Sequence, residues 1–283
     1  MPDTHGGNIF KFSHDHKINL SEVTDFSANI NLLGPSPKGL EALNERLRYI
    51  SHYPDVTNDD VMNTIADVYG IEKDSILLGN GAAELLYAVG RLSGFTGAFV
   101  PAPGFSEYQA SMDAANIPVR EIFYRQRQND DGTPYFEVPY LALQTFAAEL
   151  KGQDGRIIVF LGNPNNPDGT LLDKQSIKVL AQMLKDANSL LVIDESFIDF
   201  IGNESLRDNS YSMRELINQY DNVIIVHSFT KFYAVPGLRI GAVFANPTLI
   251  QELRQYIPAW SVNTLAQAYT ESALTDTKYI NDS

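Results

Sequence analysis

The chain has 283 residues, of which 44% are hydrophobic and 20% charged, a composition typical of an ordinary folded protein. Its formal net charge of −14 argues against a nucleic-acid or anionic-membrane surface, so an anionic ligand would need a local group of donors. Cysteine is absent, which excludes disulfides and thiolate chemistry; since no secretion signal or membrane-length apolar run is seen either, we expect a cytoplasmic protein without a bound metal.

The first 75 residues predict an extended arm followed by two helices. A polar stretch leads to a proline-rich turn at residues 34–37, and helical patterns follow at residues 38–48 and 58–69. We assign residues 1–55 to an N-terminal arm and the first part of a small domain.

From Ser75 onward, short apolar runs alternate with amphipathic stretches. The runs that predict buried strands lie at residues 76–78, 98–100, 157–161, 190–193, 223–226 and 240–244. This alternation predicts an α/β fold, with a mostly parallel sheet covered by helices on both faces over residues 56–260. Residues 261–283 then begin the second part of the small domain. In such folds the ligand binds at the carboxyl ends of the strands.

Lys231 stands just beyond the predicted strand at residues 223–226, between nearby hydroxyls and Arg239. Partial desolvation and a neighbouring positive charge lower the pKa of a lysine, which frees its amine to form a Schiff base with an aldehyde cofactor. Lys231 is therefore the candidate covalent anchor. The alternative interpretation is a solvated surface lysine.

Asp194 ends the predicted strand at residues 190–193, and strand alternation directs the following Glu195 to the opposite face. An aspartate here either caps the next helix or serves as a buried carboxylate that keeps a ring nitrogen protonated. Together with Lys231, the second interpretation indicates pyridoxal phosphate, which needs a lysine for the imine and an acid partner for the ring nitrogen.

Three further segments add candidate ligand groups. The glycine-rich turn at residues 79–84 opens a helix whose free amides can hold a phosphate, and Arg239 can bind it bidentately, although turn geometry and a surface ion pair are the alternatives. Two prolines fix a tight loop at residues 163–167 that offers three asparagines. Phe105 either stacks on a cofactor ring or belongs to the core.

In this order, these segments resemble the class I/II aminotransferase superfamily of fold-type I pyridoxal-phosphate enzymes. The narrower likeness is to members that decarboxylate O-phospho-L-threonine in cobalamin biosynthesis, and the segments that carry it are residues 5–8, 25–31, 53–55, 194–200, 230–239 and 260–263. The resemblance implies a seven-stranded, mostly parallel sheet in an α/β/α large domain, an incomplete small domain, pyridoxal phosphate as cofactor, and a homodimer.

The resemblance also implies a catalytic pair and two contacts to the cofactor ring. Lys231 would bond to the cofactor aldehyde, and Asp194 would bind the ring nitrogen. Asn166 would contact the ring hydroxyl, and Phe105 would stack on the ring face.

Two phosphate groups have implied binding residues as well. The cofactor phosphate would lie against the turn and strand-end donors Gly81, Ala82, Ala83, Ser228, Thr230 and Arg239. Tyr53 would reach the same phosphate from the other subunit of a homodimer. His5 and Asn29 would hold the phosphate of a small phosphorylated amino-acid substrate.

Three features depart from the family pattern. Asp168 stands where threonine is commoner, which adds a negative charge near an anion site. Phe197 replaces a tyrosine of many aminotransferases, in agreement with the decarboxylase pattern. Family members continue beyond Trp260 to arginines that bind the substrate carboxylate, and Ser283 falls before them. We therefore expect a fragment or truncated product, in which cofactor binding survives more readily than turnover.

The expected reaction is the pyridoxal-phosphate-dependent decarboxylation of O-phospho-L-threonine to (R)-1-amino-2-propanol O-2-phosphate. A histidinol-phosphate-type aminotransferase is the main alternative, and the motifs at residues 5–8 and 25–31 count against it. A decarboxylase of O-phosphoserine stays open because a single methyl group separates the substrates. A non-catalytic ligand sensor ranks last, since no helix-turn-helix segment or basic patch precedes residue 30.

Overall fold

The strands of the protein are seen in a computed structural model that describes residues 6–138, 140–141, 143–145, 155–202 and 206–283. In chain order they are β1 (Ile76–Gly79), β2 (Phe95–Ala102), β3 (Val119–Phe123), β4 (Arg125–Gln128), β5 (Pro134–Glu137), β6 (Arg156–Gly162), β7 (Leu190–Asp194), β8 (Val223–Ser228) and β9 (Gly241–Ala245).

Seven of the described strands form one sheet in the order β1-β9-β8-β7-β6-β2-β3. Strand β9 runs antiparallel to both of its neighbours, and every other neighbouring pair is parallel. The predicted seven-stranded, mostly parallel sheet is thus confirmed. The apolar runs did not predict the edge strand β3. Strands β4 and β5 pair in a separate antiparallel hairpin, which the sequence analysis did not predict either.

Helices connect the strands of this sheet. The α-helices with both ends in the described part of the chain are Ile9–His16, Pro37–Arg46, Asp59–Tyr69, Gly81–Gly90, Ser106–Ala114, Lys174–Asp186, Phe229–Phe232, Pro247–Arg254, Thr264–Ala273 and Thr277–Asp282. Short 3-10 helices lie at Leu20–Glu22, Leu47–Tyr49, Lys73–Ser75, Ile198–Phe200, Arg214–Asn218 and Pro236–Leu238. Within the described ranges, no helix combines the length and apolar character needed to cross a membrane.

The prediction of an extended N-terminal arm is wrong for the helix Ile9–His16. The side chain of Asn8 caps this helix by accepting a hydrogen bond from the Lys11 amide at 3.2 Å. Phe12 and His16, four residues apart, stack with ring centroids 4.1 Å apart. No residue of this helix is buried, so it has no apolar face packed on the core. The cap and the stacked pair stabilise it locally instead.

The central strands are buried on both faces. In β7, Leu191 and Ile193 pack into one hydrophobic cluster, while Leu190 and Val192 pack into another on the opposite face. Helix Lys174–Asp186 covers the first face with fully buried residues spaced three and four apart, Ile177, Leu180, Ala181 and Leu184. Burial of each large side chain contributes roughly 1.5–3 kcal/mol, so the strand ends that carry the polar residues have rigid support.

The two segments assigned to the small domain contact each other. Helix Pro37–Arg46 packs so tightly on helix Thr264–Ala273 that a Cβ at Gly39 would lie 2.6 Å from the ring of Tyr269. The Tyr269 hydroxyl accepts a hydrogen bond from the Ser36 amide at 2.8 Å and donates one to the Tyr233 carbonyl at 2.8 Å. The boundaries at residues 55 and 260 stay a prediction.

Candidate active site

Strands β6, β7 and β8 deliver the candidate residues to one edge of the sheet. In the strand register Gly162 lies opposite Asp194, and Asp194 lies opposite Val226. The loop of asparagines follows β6, Asp194 ends β7, and the short helix Phe229–Phe232 that carries Lys231 follows β8. The carboxyl ends of parallel strands meet at this edge, as expected for a ligand site of an open α/β sheet.

A cavity of about 350 Å³ opens at this edge. Its walls contain five residues predicted for the site, namely Asn29, Phe105, Asn166, Asp194 and Lys231. The other main wall residues are Gly6, Ser27, Ala28, Tyr108, Ser196 and Phe197. Residues far apart in the chain therefore converge on one concave surface, which is the usual form of a small-molecule site.

Lys231 is half-buried in this cavity. Burial, and next the positive charge of Arg239, lower the pKa of the Lys231 amine, while the charge of Asp194 opposes them. Lys231 Nζ makes no hydrogen bond or ion pair with any residue that the structure describes. A larger fraction of this amine is therefore neutral and nucleophilic than in a solvated lysine.

Asp194 is only 7% exposed, and both of its carboxylate oxygens accept hydrogen bonds. The hydroxyl of Tyr108 donates to Oδ2 at 2.9 Å, and the amide of Ser196 donates to Oδ1 at 2.9 Å. The neighbouring Glu195 is buried elsewhere, where it accepts from the Ser212 hydroxyl at 2.6 Å. Sequence reasoning missed Tyr108, although its position three residues after Phe105 would have placed both on one side of a helical turn.

The three asparagines of the 163–167 loop have different environments. Asn163 Oδ1 accepts from the Leu172 amide at 2.8 Å, and Asn165 Nδ2 donates to the Pro103 carbonyl at 3.0 Å, so both are buried structural residues. Asn166 alone of the three lines the cavity. Asp168 accepts from the side chains of Asn165 and Thr170, which shows that its charge stabilises the loop from within.

The predicted phosphate-binding residues assemble beside the cavity, where Ser228 pairs with Gly241 of β9. The Ser228 and Thr230 hydroxyls are buried and lie 2.8 Å apart. Helix Gly81–Gly90 begins here, and its N-cap residue Asn80 provides no side-chain hydrogen bond. The first amides of this helix, including those of Ala82 and Ala83, are thus available to an anion.

Two predicted residues are not placed at the cavity by the structure. Tyr53 is 79% exposed and stacks on Trp260 with ring centroids 4.7 Å apart, outside the cavity wall. His5 lies outside the described residues. Asn29 is exposed but does line the cavity, next to Ser27 and Ala28.

The residues at this edge fit pyridoxal phosphate. The cavity offers an amine with a lowered pKa, a buried carboxylate and an aromatic face, while the adjoining subsite offers amides, hydroxyls and a guanidinium. The close approach of these groups requires glycine at two positions. A Cβ at Gly81 would clash with Arg239, and a Cβ at Gly241 would lie 2.6 Å from the Ala82 nitrogen. These glycines let the backbone amides and Arg239 approach one point.

Gly81→Ala is therefore expected to weaken binding of pyridoxal phosphate by about tenfold or more, because the new Cβ displaces Arg239 from the charge-assisted contact predicted for it with the cofactor phosphate. Gly81 also has a φ of +81°, which disfavours any other residue. The dissociation constant is measured by absorbance titration.

Gly132→Ala is the matched control, because Gly132 has a φ of +83° with no heavy atom within 4 Å of an added Cβ. Both variants should lose about 1–2 kcal/mol of unfolding free energy from backbone strain, whereas only Gly81→Ala should lose cofactor affinity. Equal affinities in the two variants would contradict the placement of the phosphate at Gly81.

Comparison with known proteins agrees with this geometry. The chain is 36% identical over 283 residues to the adenosylcobalamin biosynthesis bifunctional protein CobDQ of Leptospira interrogans, covering 99% of this chain and 30% of that protein. It is 31% identical to the threonine-phosphate decarboxylase of Salmonella typhimurium, covering 97% of this chain and 71% of that enzyme.

A solved structure and a family model complete the comparison. The crystal structure of a histidinol-phosphate aminotransferase from Clostridium acetobutylicum has a TM-score of 0.77 and 26% identity, covering 92% of this chain and 72% of that one. Residues 21–283 match the family model described as aminotransferase class I and II. The chain belongs to the class I and II aminotransferase family, whose members are pyridoxal-phosphate enzymes.

Proposed function

We propose that this protein is a pyridoxal-phosphate-dependent lyase that decarboxylates O-phospho-L-threonine to (R)-1-amino-2-propanol O-2-phosphate. The observation that carries the proposal is that one cavity joins Lys231 and Asp194 to the N-terminal segment containing Asn29. Asn29 belongs to the motif that distinguishes the decarboxylase pattern from the aminotransferase pattern. The similarity to relatives named for cobalamin biosynthesis and for threonine-phosphate decarboxylase supports the same reaction.

When bound, pyridoxal phosphate supplies an electron sink for the electron pair that the departing carboxylate leaves behind. Asp194 holds the proton on the ring nitrogen, which keeps the sink effective. Phe105 would pack on the ring face and Asn166 would donate to the ring hydroxyl. The substrate amine would displace Lys231, and the freed Nζ would then be placed to return a proton to the α-carbon.

Two groups of residues hold the phosphates. The cofactor phosphate is bound by the donors beside the cavity, Gly81, Ala82, Ala83, Ser228, Thr230 and Arg239. The substrate phosphate is bound by Asn29 and His5. Binding energy from this remote phosphate would orient the substrate with its carboxylate perpendicular to the ring, and this orientation would select decarboxylation over removal of the α-hydrogen.

The protein is further proposed to act as a homodimer in the cytoplasm. Tyr53 then reaches the cofactor phosphate of the partner subunit, and its side chain is 79% exposed although its ring stacks on Trp260. A histidinol-phosphate aminotransferase is the second candidate, favoured by the solved structure of such an enzyme with a TM-score of 0.77.

Product analysis by mass spectrometry separates the two candidates. The protein is mixed with pyridoxal phosphate and O-phospho-L-threonine, with and without 2-oxoglutarate, and O-phospho-L-serine is tested in parallel. Aminopropanol phosphate in both tubes supports the decarboxylase. A keto product that forms only with 2-oxoglutarate contradicts the decarboxylase. If the protein is loaded with pyridoxal phosphate (PLP) and forms no product, the proposed activity is contradicted for residues 1–283.

A further inference from the structure

The hydroxyl of Tyr108 is the only side-chain donor to Asp194 within the described part of the chain, at 2.9 Å from Oδ2. The other donor, the Ser196 amide, belongs to the turn that Asp194 itself begins, so it moves with the carboxylate. Tyr108 instead lies on helix Ser106–Ala114, which follows β2. Its bond therefore links the carboxylate at the end of β7 to a different element of the fold.

The ring of Tyr108 is fixed in place. Its exposed fraction is 2%, and it stacks on Phe160 of β6 with centroids 5.2 Å apart and planes at 15°. Its other neighbour is Phe105, whose ring meets it edge-on at 5.7 Å. Since Phe105 forms part of the cavity wall, one turn of chain determines both the aromatic wall and the orientation of the Asp194 carboxylate.

The hydroxyl of Tyr108 also keeps its proton. Burial, and next the negative charge of Asp194, raise the pKa of Tyr108 well above its ordinary value. Tyr108 therefore acts as the donor to Asp194. A phenol has one proton, so this proton is committed to Oδ2, and a further donor at the carboxylate has to approach from the cavity side.

We propose that Tyr108 is a positioning residue that holds the carboxylate of Asp194 toward the ring nitrogen of pyridoxal phosphate. This inference rests on the proposed role of Asp194. Tyr108 then does more than pack in the core. Its hydrogen bond holds the carboxylate of Asp194 in a single orientation.

Tyr108→Phe removes only the hydroxyl and keeps the stacked ring. We expect it to raise the dissociation constant for pyridoxal phosphate by about tenfold, the effect of one hydrogen bond to a charged group. Tyr124→Phe is the matched control: Tyr124 is buried at 7% exposure, and its hydroxyl has no hydrogen-bond partner among the described residues. The control should keep the parent affinity.

The visible absorbance of the PLP-loaded protein gives a second readout that a packing defect would not move. When the ring nitrogen of pyridoxal phosphate is firmly protonated, the cofactor ring withdraws electrons from Lys231 Nζ and lowers the basicity of this nitrogen. Asp194 and Arg239 are the charged groups that act on Lys231, and both are intact in Tyr108→Phe. We expect the midpoint of the absorbance change with pH to move to higher pH in this variant, and further in the same direction in Asp194→Asn.

A double-mutant cycle decides the inference. In the Asp194→Asn background, Tyr108→Phe should change the affinity by less than about twofold, because the charged carboxylate that Tyr108 orients is already lost. An equal loss in both backgrounds, or a Tyr108→Phe protein with parent affinity and midpoint, would overturn the positioning role alone. Parent affinity in Asp194→Asn itself would instead overturn the proposed role of Asp194, and with it this inference.

Discussion

Lys231→Ala is expected to abolish stable retention of pyridoxal phosphate. The covalent anchor is lost and only the phosphate contacts remain, so affinity should fall by about a hundredfold or more, equivalent to about 2.7 kcal/mol. Any residual product formation should be lower by about 10²–10⁴-fold, because Lys231 is also the proposed proton donor. The measurement is the visible absorbance retained after gel filtration, together with the rate of product formation.

Lys185→Ala serves as the control, because Lys185 pairs with Asp221 at 3.0 Å outside the cavity. It should retain the cofactor as the parent does. Burial and Arg239 lower the pKa of Lys231, so the rate of cofactor attachment in the parent should rise with pH and level off above that lowered pKa. A visible band in Lys231→Ala with no added amine would contradict the anchoring role.

Asp194→Asn is expected to keep the fold and to lower the rate of product formation by roughly 10²–10³-fold, the effect of losing a preorganised charge. An amide of the same shape cannot hold the proton on the ring nitrogen. It also cannot accept from both Tyr108 and Ser196, so one donor loses its partner at a cost of about 1–3 kcal/mol in unfolding free energy. Rates and urea unfolding measure the two effects.

Glu195→Gln is the matched control for this loss of charge. Glu195 is buried beside Asp194 and bonds to Ser212 and the Met213 amide, away from the cavity. It should destabilise the protein while leaving cofactor affinity unchanged. Unchanged turnover in Asp194→Asn would remove its assigned role, whatever Glu195→Gln does.

The sheet could be predicted because its central strands are buried on both faces. The run at residues 190–193 lies within β7 (Leu190–Asp194), and the run at 223–226 lies within β8 (Val223–Ser228). Helix Ile9–His16 and the hairpin of β4 and β5 were missed for the opposite reason. They are largely exposed, so turn and cap contacts define them and no apolar period marks them.

The candidate site was predictable where a strand end fixes a residue. Asp194 and Lys231 follow apolar runs, and the sheet alone brings them to one edge. Tyr108 was not predictable in this way, since its bond to Asp194 joins residues 86 positions apart and depends on how a helix is rotated. Likewise, the side chains of Asn163 and Asn165 are buried because they bond to the backbone of Leu172 and Pro103, and the sequence does not reveal these partners.

Peptide mapping after borohydride reduction tests the central claim most directly. The protein is loaded with pyridoxal phosphate, reduced, digested and analysed by mass spectrometry. We predict a phosphopyridoxyl group on Lys231 and on no other lysine. A label on another lysine, or a loaded protein with unmodified Lys231, would contradict the assignment of this cavity as the active site.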